Sequence, residues 1–136
     1  AVVKVIKQSK SSSIRAELRD DGVVDLVLKK KDIWDEMQMS QATRKAQDLS
    51  RADTVKTKPG SRNGSASDTF KKEYGKDSVP DGYDVDHVID LQLGGADHVS
   101  NMRPLDASVN RSMGAQINYL IRDLPEGTKI GNVRFE

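Results

Sequence analysis

Residues 83–117 read YDVDHVIDLQLGGADHVSNMRPLDASVNRSMGAQI, and the order of elements in that stretch decides the fold. Val85, Val88, Ile89 and Leu91 predict a strand over 83–93, which Gly94-Gly95 ends. A loop over 96–100 and a second strand over 101–105 follow. Asp106 or Ser108 then caps a helix carried by Ile117, Leu120, Ile121 and Leu124, and Pro125 and Gly127 stop it. Strand, glycine loop, strand and helix therefore stand in a row, with a final strand expected over 130–135.

Working outward, residues 14–18 and 23–28 flank Arg19-Asp20-Asp21-Gly22, and an Asp-Gly turn between β-prone runs predicts a hairpin. A helix is expected over 32–48, with Asp32 as its cap and Ile33, Trp34, Met37 and Ala42 sharing a face. Trp34, Met37 and Met39 read as core or as a helix-packing face. The row TVKTKPGSRNGSAS over 54–67 is a loop or linker by its Pro-Gly and Asn-Gly pairs. A short helix over 68–74 follows, with Ser65 and Asp68 at capping-box spacing and Gly75 as its stop. Pro80-Asp81-Gly82 is the turn before the decisive stretch. The expected architecture is one α+β domain over 1–136, with a basic, helical part over 1–79 and a strand-strand-helix core over 80–125.

At 136 residues the chain is long enough to bury a core without a staple. It contains no cysteine, which excludes disulfides, thiolate zinc sites, iron-sulfur clusters and cysteine nucleophiles. Any metal must take oxygen or imidazole ligands. Apolar runs are only a few residues long, far from the ~20 that span a bilayer, so membrane insertion is not expected. Lys and Arg number 22 against 21 Asp and Glu, a net charge of +1 that conceals a partition. Residues 1–39 are nearly balanced, 40–80 hold nine basic against five acidic residues, and 81–136 hold five against nine. A basic middle thus precedes an acidic end, which matters if that end holds a cation.

The acidic end carries Asp86-His87, Asn101 and Asn110. Neighbours on a strand point to opposite faces, which suits one residue on a metal and the other on a different part of the substrate. Asn110 falls in the first turn of the expected helix, where backbone N–H groups favour anions. An Asp oxygen and an amide oxygen form a hard, incomplete ligand set, acceptable to Mg²⁺ because that ion keeps several waters. His87 is the candidate general base, since an imidazole titrates near neutral pH. Taken alone, an Asp-His pair is more often a structural hydrogen bond.

The run Asp86-His87-Val88-Ile89-Asp90, then Gly94-Gly95, Asn101, Leu105 and Asn110, resembles the HNH (ββα-metal) endonuclease motif in its Asp-His…Asn…Asn form. The resemblance implies that Asp86 and Asn110 bind a divalent metal, Mg²⁺ first and Mn²⁺, Ni²⁺ or Zn²⁺ as options. It implies that His87 is the base and that Asn101 braces the loop between the strands. The fuller string resembles nuclease toxin domains at the C-termini of bacterial polymorphic toxins and secretion-system effectors. That likeness implies delivery into the cytoplasm of a target cell and a cognate immunity protein in the producer, and the Ala1 start agrees with a piece of a larger protein. Two departures stand out. Asp90 replaces a frequent Pro and is either an extra carboxylate beside the metal or a surface residue, and the flanking zinc-binding Cys pairs of many members are missing, so the apolar core alone is expected to hold the fold.

Arg103 and Arg111 lie beside the ligand positions, where a guanidinium can clamp a phosphate; Arg111 is counted with the catalytic set. Arg44, Lys45, Arg51, Lys71, Lys72 and Arg103 are the candidate DNA contacts, acting on phosphates because few aromatics interleave the basic stretch. His98 reads as solvent-exposed or as a phosphate or metal contact, and Asp97 as a turn or cap residue. The expected function is metal-dependent, nonspecific DNA cleavage. A ribonuclease, a site-specific nuclease and a noncatalytic interaction module on the same scaffold are the alternatives.

Overall fold

In the computed structural model, which describes residues 3–11, 13–58 and 66–136, the chain is α+β, with three helices and two sheets. The larger sheet has the order β1-β2-β3-β6, from β1 (Lys4–Gln8), β2 (Arg15–Leu18), β3 (Val24–Leu28) and β6 (Ile130–Phe135). β2 and β3 form the expected hairpin, with Arg15 opposite Val27 and Leu18 opposite Val24, and Gly22 takes the left-handed turn conformation at φ +85°. β3 is buried along its whole length and pairs with β6 in parallel. Its one charged residue, Asp25, accepts from Arg19 Nε at 2.8 Å and Nη2 at 2.6 Å and from the Asn132 backbone N–H at 2.7 Å, so it is buried but not unpaired.

Helix α1 (Glu36–Arg51) starts later than expected. Asp35, not Asp32, caps it: its carboxylate accepts from the Gln38 backbone N–H while the Gln38 side chain accepts from the Asp35 backbone N–H. The buried face of the helix is Ala42, Lys45, Ala46 and Leu49, and Ile33 and Met37, expected to share a face with Ala42, are at the surface. Trp34 is buried in the connection before the helix, where its indole N–H donates to Ser108 Oγ at 2.9 Å. Helix α2 (Ala66–Tyr74) starts two residues earlier than expected, and Gly75 stops it at φ +102°. The Ser65 half of the expected capping box and the Pro59-Gly60 and Asn63-Gly64 turns lie outside the described residues.

The second sheet is the antiparallel pair β4 (Tyr83–His87) and β5 (Met102–Asp106), with Asp86 opposite Arg103 and His87 opposite Met102. β5 runs directly into helix α3 (Ala107–Ile121), capped by Asp106, which accepts from the Val109 N–H at 3.0 Å. The expected strand over 83–93 is shorter because the chain leaves the ladder after His87 and folds Leu91–Leu93 into a 3₁₀ turn. A single cluster forms the core, joining Leu26 and Leu28 of β3 and Leu49 of α1 to Leu93, Leu105, Met113 and Ile117 of the strand-strand-helix unit. No helix among the described residues is long and apolar enough to cross a membrane.

Across the large sheet, Glu17 accepts from Arg15 Nε at 2.8 Å and from Arg134 Nη2 at 3.0 Å. The Arg15 hydrogen bond outweighs the cost of burial and holds the Glu17 carboxyl below its usual range. A lowered carboxyl pKa stabilises the fold above the unfolded value of about 4.3, and that stability disappears as pH falls through the folded value. Glu17→Gln is therefore expected to lower stability by roughly 1 kcal/mol at pH 7 in urea titrations, with the gap from the parent closing below about pH 4.

Candidate active site

Asp86 and His87 end β4 and are both buried. What waits for them is Lys45, whose side chain enters from α1 with 3% of its surface exposed. The Lys45 ammonium donates to Asp86 Oδ2 at 2.7 Å, to the His87 carbonyl at 2.6 Å and to the Val88 carbonyl at 2.9 Å, and Asp90 Oδ1 lies 2.8 Å away. Four oxygens thus surround one ammonium with three hydrogens. Lys45 is accordingly not a phosphate contact: the structure buries the residue that charge counting had placed at a DNA surface. Asp90 is not free on the surface: it is the second carboxylate on Lys45 and lines the same cleft as Asp86. Burial pushes the Asp86 carboxyl above the usual carboxylate range, and Lys45 offsets that only in part.

After His87 the loop is held by Asn101. Its Oδ1 accepts from the Ile89 N–H at 3.0 Å, and its Nδ2 donates to the carbonyls of Ile89 and Ala96, each at 2.9 Å. The brace expected of Asn101 is the contact found. Gly94 is left-handed at φ +89°, and Gly95 has no space for a side chain: a Cβ there would stand 1.7 Å from the Ile89 carbonyl oxygen and 2.9 Å from Asn101 Nδ2. The glycine pair is therefore steric, letting the loop fold tightly onto Asn101. That loop delivers Asp97, whose Oδ1 lies 2.8 Å from His87 Nε2. An ionised carboxylate only accepts, so Nε2 carries the hydrogen and Nδ1 is the ring's acceptor.

Asn110 stands in the first turn of α3 and donates from Nδ2 to Asp84 Oδ2 at 2.9 Å, which fixes the amide and leaves its carbonyl oxygen for another partner. Arg111 grips the same carboxylate with Nε at 3.1 Å and Nη2 at 3.0 Å. Burial raises the Asp84 carboxyl, but the hydrogen bonds from Arg111 and Asn110 outweigh it and hold the group below its usual range. Asp86, His87, Asp90, Gln92, Asn110 and Arg111 line one cleft of about 470 Å³. For a metal, the cleft offers the carbonyl oxygen of Asn110 and the Asp86 oxygen that Lys45 does not hold. No group of three His, Asp or Glu side chains among the described residues is placed to hold an ion. Two hard oxygens completed by water fit Mg²⁺ and do not fit an ion that needs a full protein cage.

The other sequence candidates lie elsewhere. Arg103 turns to Asp48 on α1, and Arg44 and Arg51 line a shallow groove along that helix. Lys71 and Lys72 sit in the last turn of α2. His98 is exposed, its Nδ1 accepting from the Ser100 N–H at 3.1 Å, so it caps a turn. Asp84 is a site residue that sequence reading passed over, and Asp97, read as a turn or cap residue, reaches the His87 ring instead. Asp84 shares strand parity with Asp86, a usable signal. Asp97 carries none, because its contact depends on how the glycine loop folds.

Removing the Lys45 ammonium would leave two carboxylates and two carbonyls facing one another. Lys45→Ala is expected to lower stability by about 3–5 kcal/mol in chemical denaturation, and Gly95→Ala by about 1–3 kcal/mol through displacement of the Ile89 carbonyl. No protein-family model matches the chain, and no curated protein matches it, so what the cleft does rests on its own residues.

Proposed function

We propose that the chain is a metal-dependent endonuclease of the HNH (ββα-metal) kind, cleaving DNA without sequence specificity. The observation that carries this reading is one cleft holding Asp86, His87, Asn110 and Arg111, with Asn101 bracing the loop above it. Asp97 keeps the hydrogen on His87 Nε2, so Nδ1 takes a proton from water. The oxygen of that water bonds to the phosphorus as the bond to the 3′ oxygen breaks, and solvent protonates the leaving group. Asp86 and Asn110 are the residues that would hold the divalent cation, whose chemistry is to neutralise charge on the phosphate and the leaving oxygen. Arg111, with most of its side chain exposed, presents its remaining N–H groups to the phosphate oxygens.

The role proposed for this activity is that of a toxin domain delivered into the cytoplasm of a target bacterium, with an immunity protein as partner in the producer. It is supported by the likeness of the 84–117 string to such domains. Expression in a bacterial cytoplasm should then arrest growth with the parent chain and not with His87→Ala.

Supercoiled plasmid incubated with the protein and Mg²⁺ should be nicked and then cut at random positions, and EDTA should abolish this. His87→Ala should slow cleavage by about 10²–10⁴-fold while the chain stays folded by circular dichroism, with a melting temperature lowered by a few degrees from the lost Asp97 contact. Asp97→Asn should lower kcat by a smaller factor, and Asp97→Glu should restore part of it. DNA binding without cleavage in Mg²⁺, Mn²⁺, Ni²⁺ or Zn²⁺ would sink the enzyme reading in favour of a binding module, and cleavage of RNA alone would make it a ribonuclease.

A further inference from the structure

With Lys45 internal and Arg103 paired to Asp48, two of the six expected phosphate contacts are occupied by other partners. A different cationic surface lies beside the cleft. Lys29, Lys30 and Lys31 follow β3 and border a groove of about 570 Å³, whose walls also carry Ser9, Ser13 and Gln116. Lys29 and Lys31 are exposed, and Lys30 lies over the Phe135 ring at 5.7 Å. The lysine segment is fixed on α3: Gln116 Oε1 accepts from the Lys29 N–H at 2.9 Å, and Gln116 Nε2 donates to the Lys29 carbonyl at 3.0 Å. Among the described residues, Asp32 is the one carboxylate on the groove's lining.

Helix α3 is the wall between this groove and the cleft. Ser112 and Gln116 face the groove, whereas Asn110, Arg111, Gly114 and Ala115 face the cleft. The crest between them carries exposed Arg111 and small Ala115. A helix is about 10 Å across, a distance covered by roughly three nucleotides at 3.4 Å each. Lysine ammoniums are groups that contact nucleic-acid phosphates; Ile14 and Ile33 supply the apolar part of the wall, the Gln116 amide is spent on Lys29 and Ser112, and among the described residues no aromatic ring lines the groove for base stacking.

We propose that the Lys29–Lys31 groove binds the phosphodiester backbone of the substrate a few nucleotides from the scissile phosphate, the strand crossing α3 over Arg111 and Ala115. The proposal rests on the nuclease reading and names where that enzyme holds its substrate.

The test measures binding of a fluorescent random-sequence duplex of about 20 base pairs by the full His87→Ala chain, which keeps the substrate intact, over a series of salt concentrations. Adding Lys29→Ser and Lys31→Ser should weaken binding by about tenfold near 0.1 M salt. It should also lower the slope of log K against log salt by about 2, with the melting temperature unchanged. An unchanged affinity and slope in the doubly substituted chain would overturn the groove while leaving the nuclease reading intact. Failure of the His87→Ala parent itself to bind duplex would overturn both.

Discussion

The ammonium of Lys45 is the interaction on which the candidate site depends. It ties α1 to the end of β4 through two carboxylates and two backbone carbonyls. Each partner would be costly to bury alone: an unpaired carboxylate shifts its pKa or unfolds its surroundings, and an orphaned carbonyl loses a hydrogen bond. Together they compensate one another, and the geometry that results places Asp86 and His87 side by side on a cleft. The same ion pair would limit the proposed metal site. With one Asp86 oxygen committed to a resident cation, the cleft has less negative charge to offer a second one, which agrees with a hydrated ion held at few points.

Around that centre each polar side chain is fixed by a neighbour that does no chemistry in the proposed reaction. Asp97 sets the His87 ring, Asp84 sets both Asn110 and Arg111, and Asn101 sets the loop from which Asp97 reaches back. Supporting hydrogen bonds of this kind lower the reorganisation needed when charge develops, because the groups already stand where they are needed.

The strand-strand-helix order was legible because its signals are local. A glycine pair, an Asp at a helix cap and apolar residues at helical spacing each act over a few residues. Asn101 and Asn110 stood out instead through the resemblance of their spacing to the HNH motif. What sequence could not supply was contact between distant elements. Lys45 looks like any lysine in a basic stretch until α1 is seen to pack through Ala42, Ala46 and Leu49, the face that position 45 shares. β1 is an edge strand of mostly exposed residues, so Val5 and Ile6 stand side by side without the alternation that would announce a strand. The Lys29–Lys31 run vanished in a balanced charge count, because Asp20, Asp21 and Asp25 cancel it in sequence while lying elsewhere in the fold.

Zinc-binding cysteines were expected to be replaced by apolar packing alone, yet α1 grips the strand-strand-helix unit with polar groups as well. Gln41 Nε2 donates to Tyr83 Oη at 2.9 Å, and its Oε1 accepts from the Asp106 N–H at 2.9 Å. The Gln38 side-chain amide reaches the Asp106 carboxylate, and Asp48 holds Arg103. These contacts and Lys45 fall at 38, 41, 45 and 48, the spacing of one helix face. A face that would ordinarily be apolar is here a row of polar clamps, each directed at one point on β4, β5 or the loop beyond. A unit of about 40 residues has too little buried surface to stand alone without a staple. The N-terminal half supplies that staple, so it is structurally part of the site even though no sequence motif covers it.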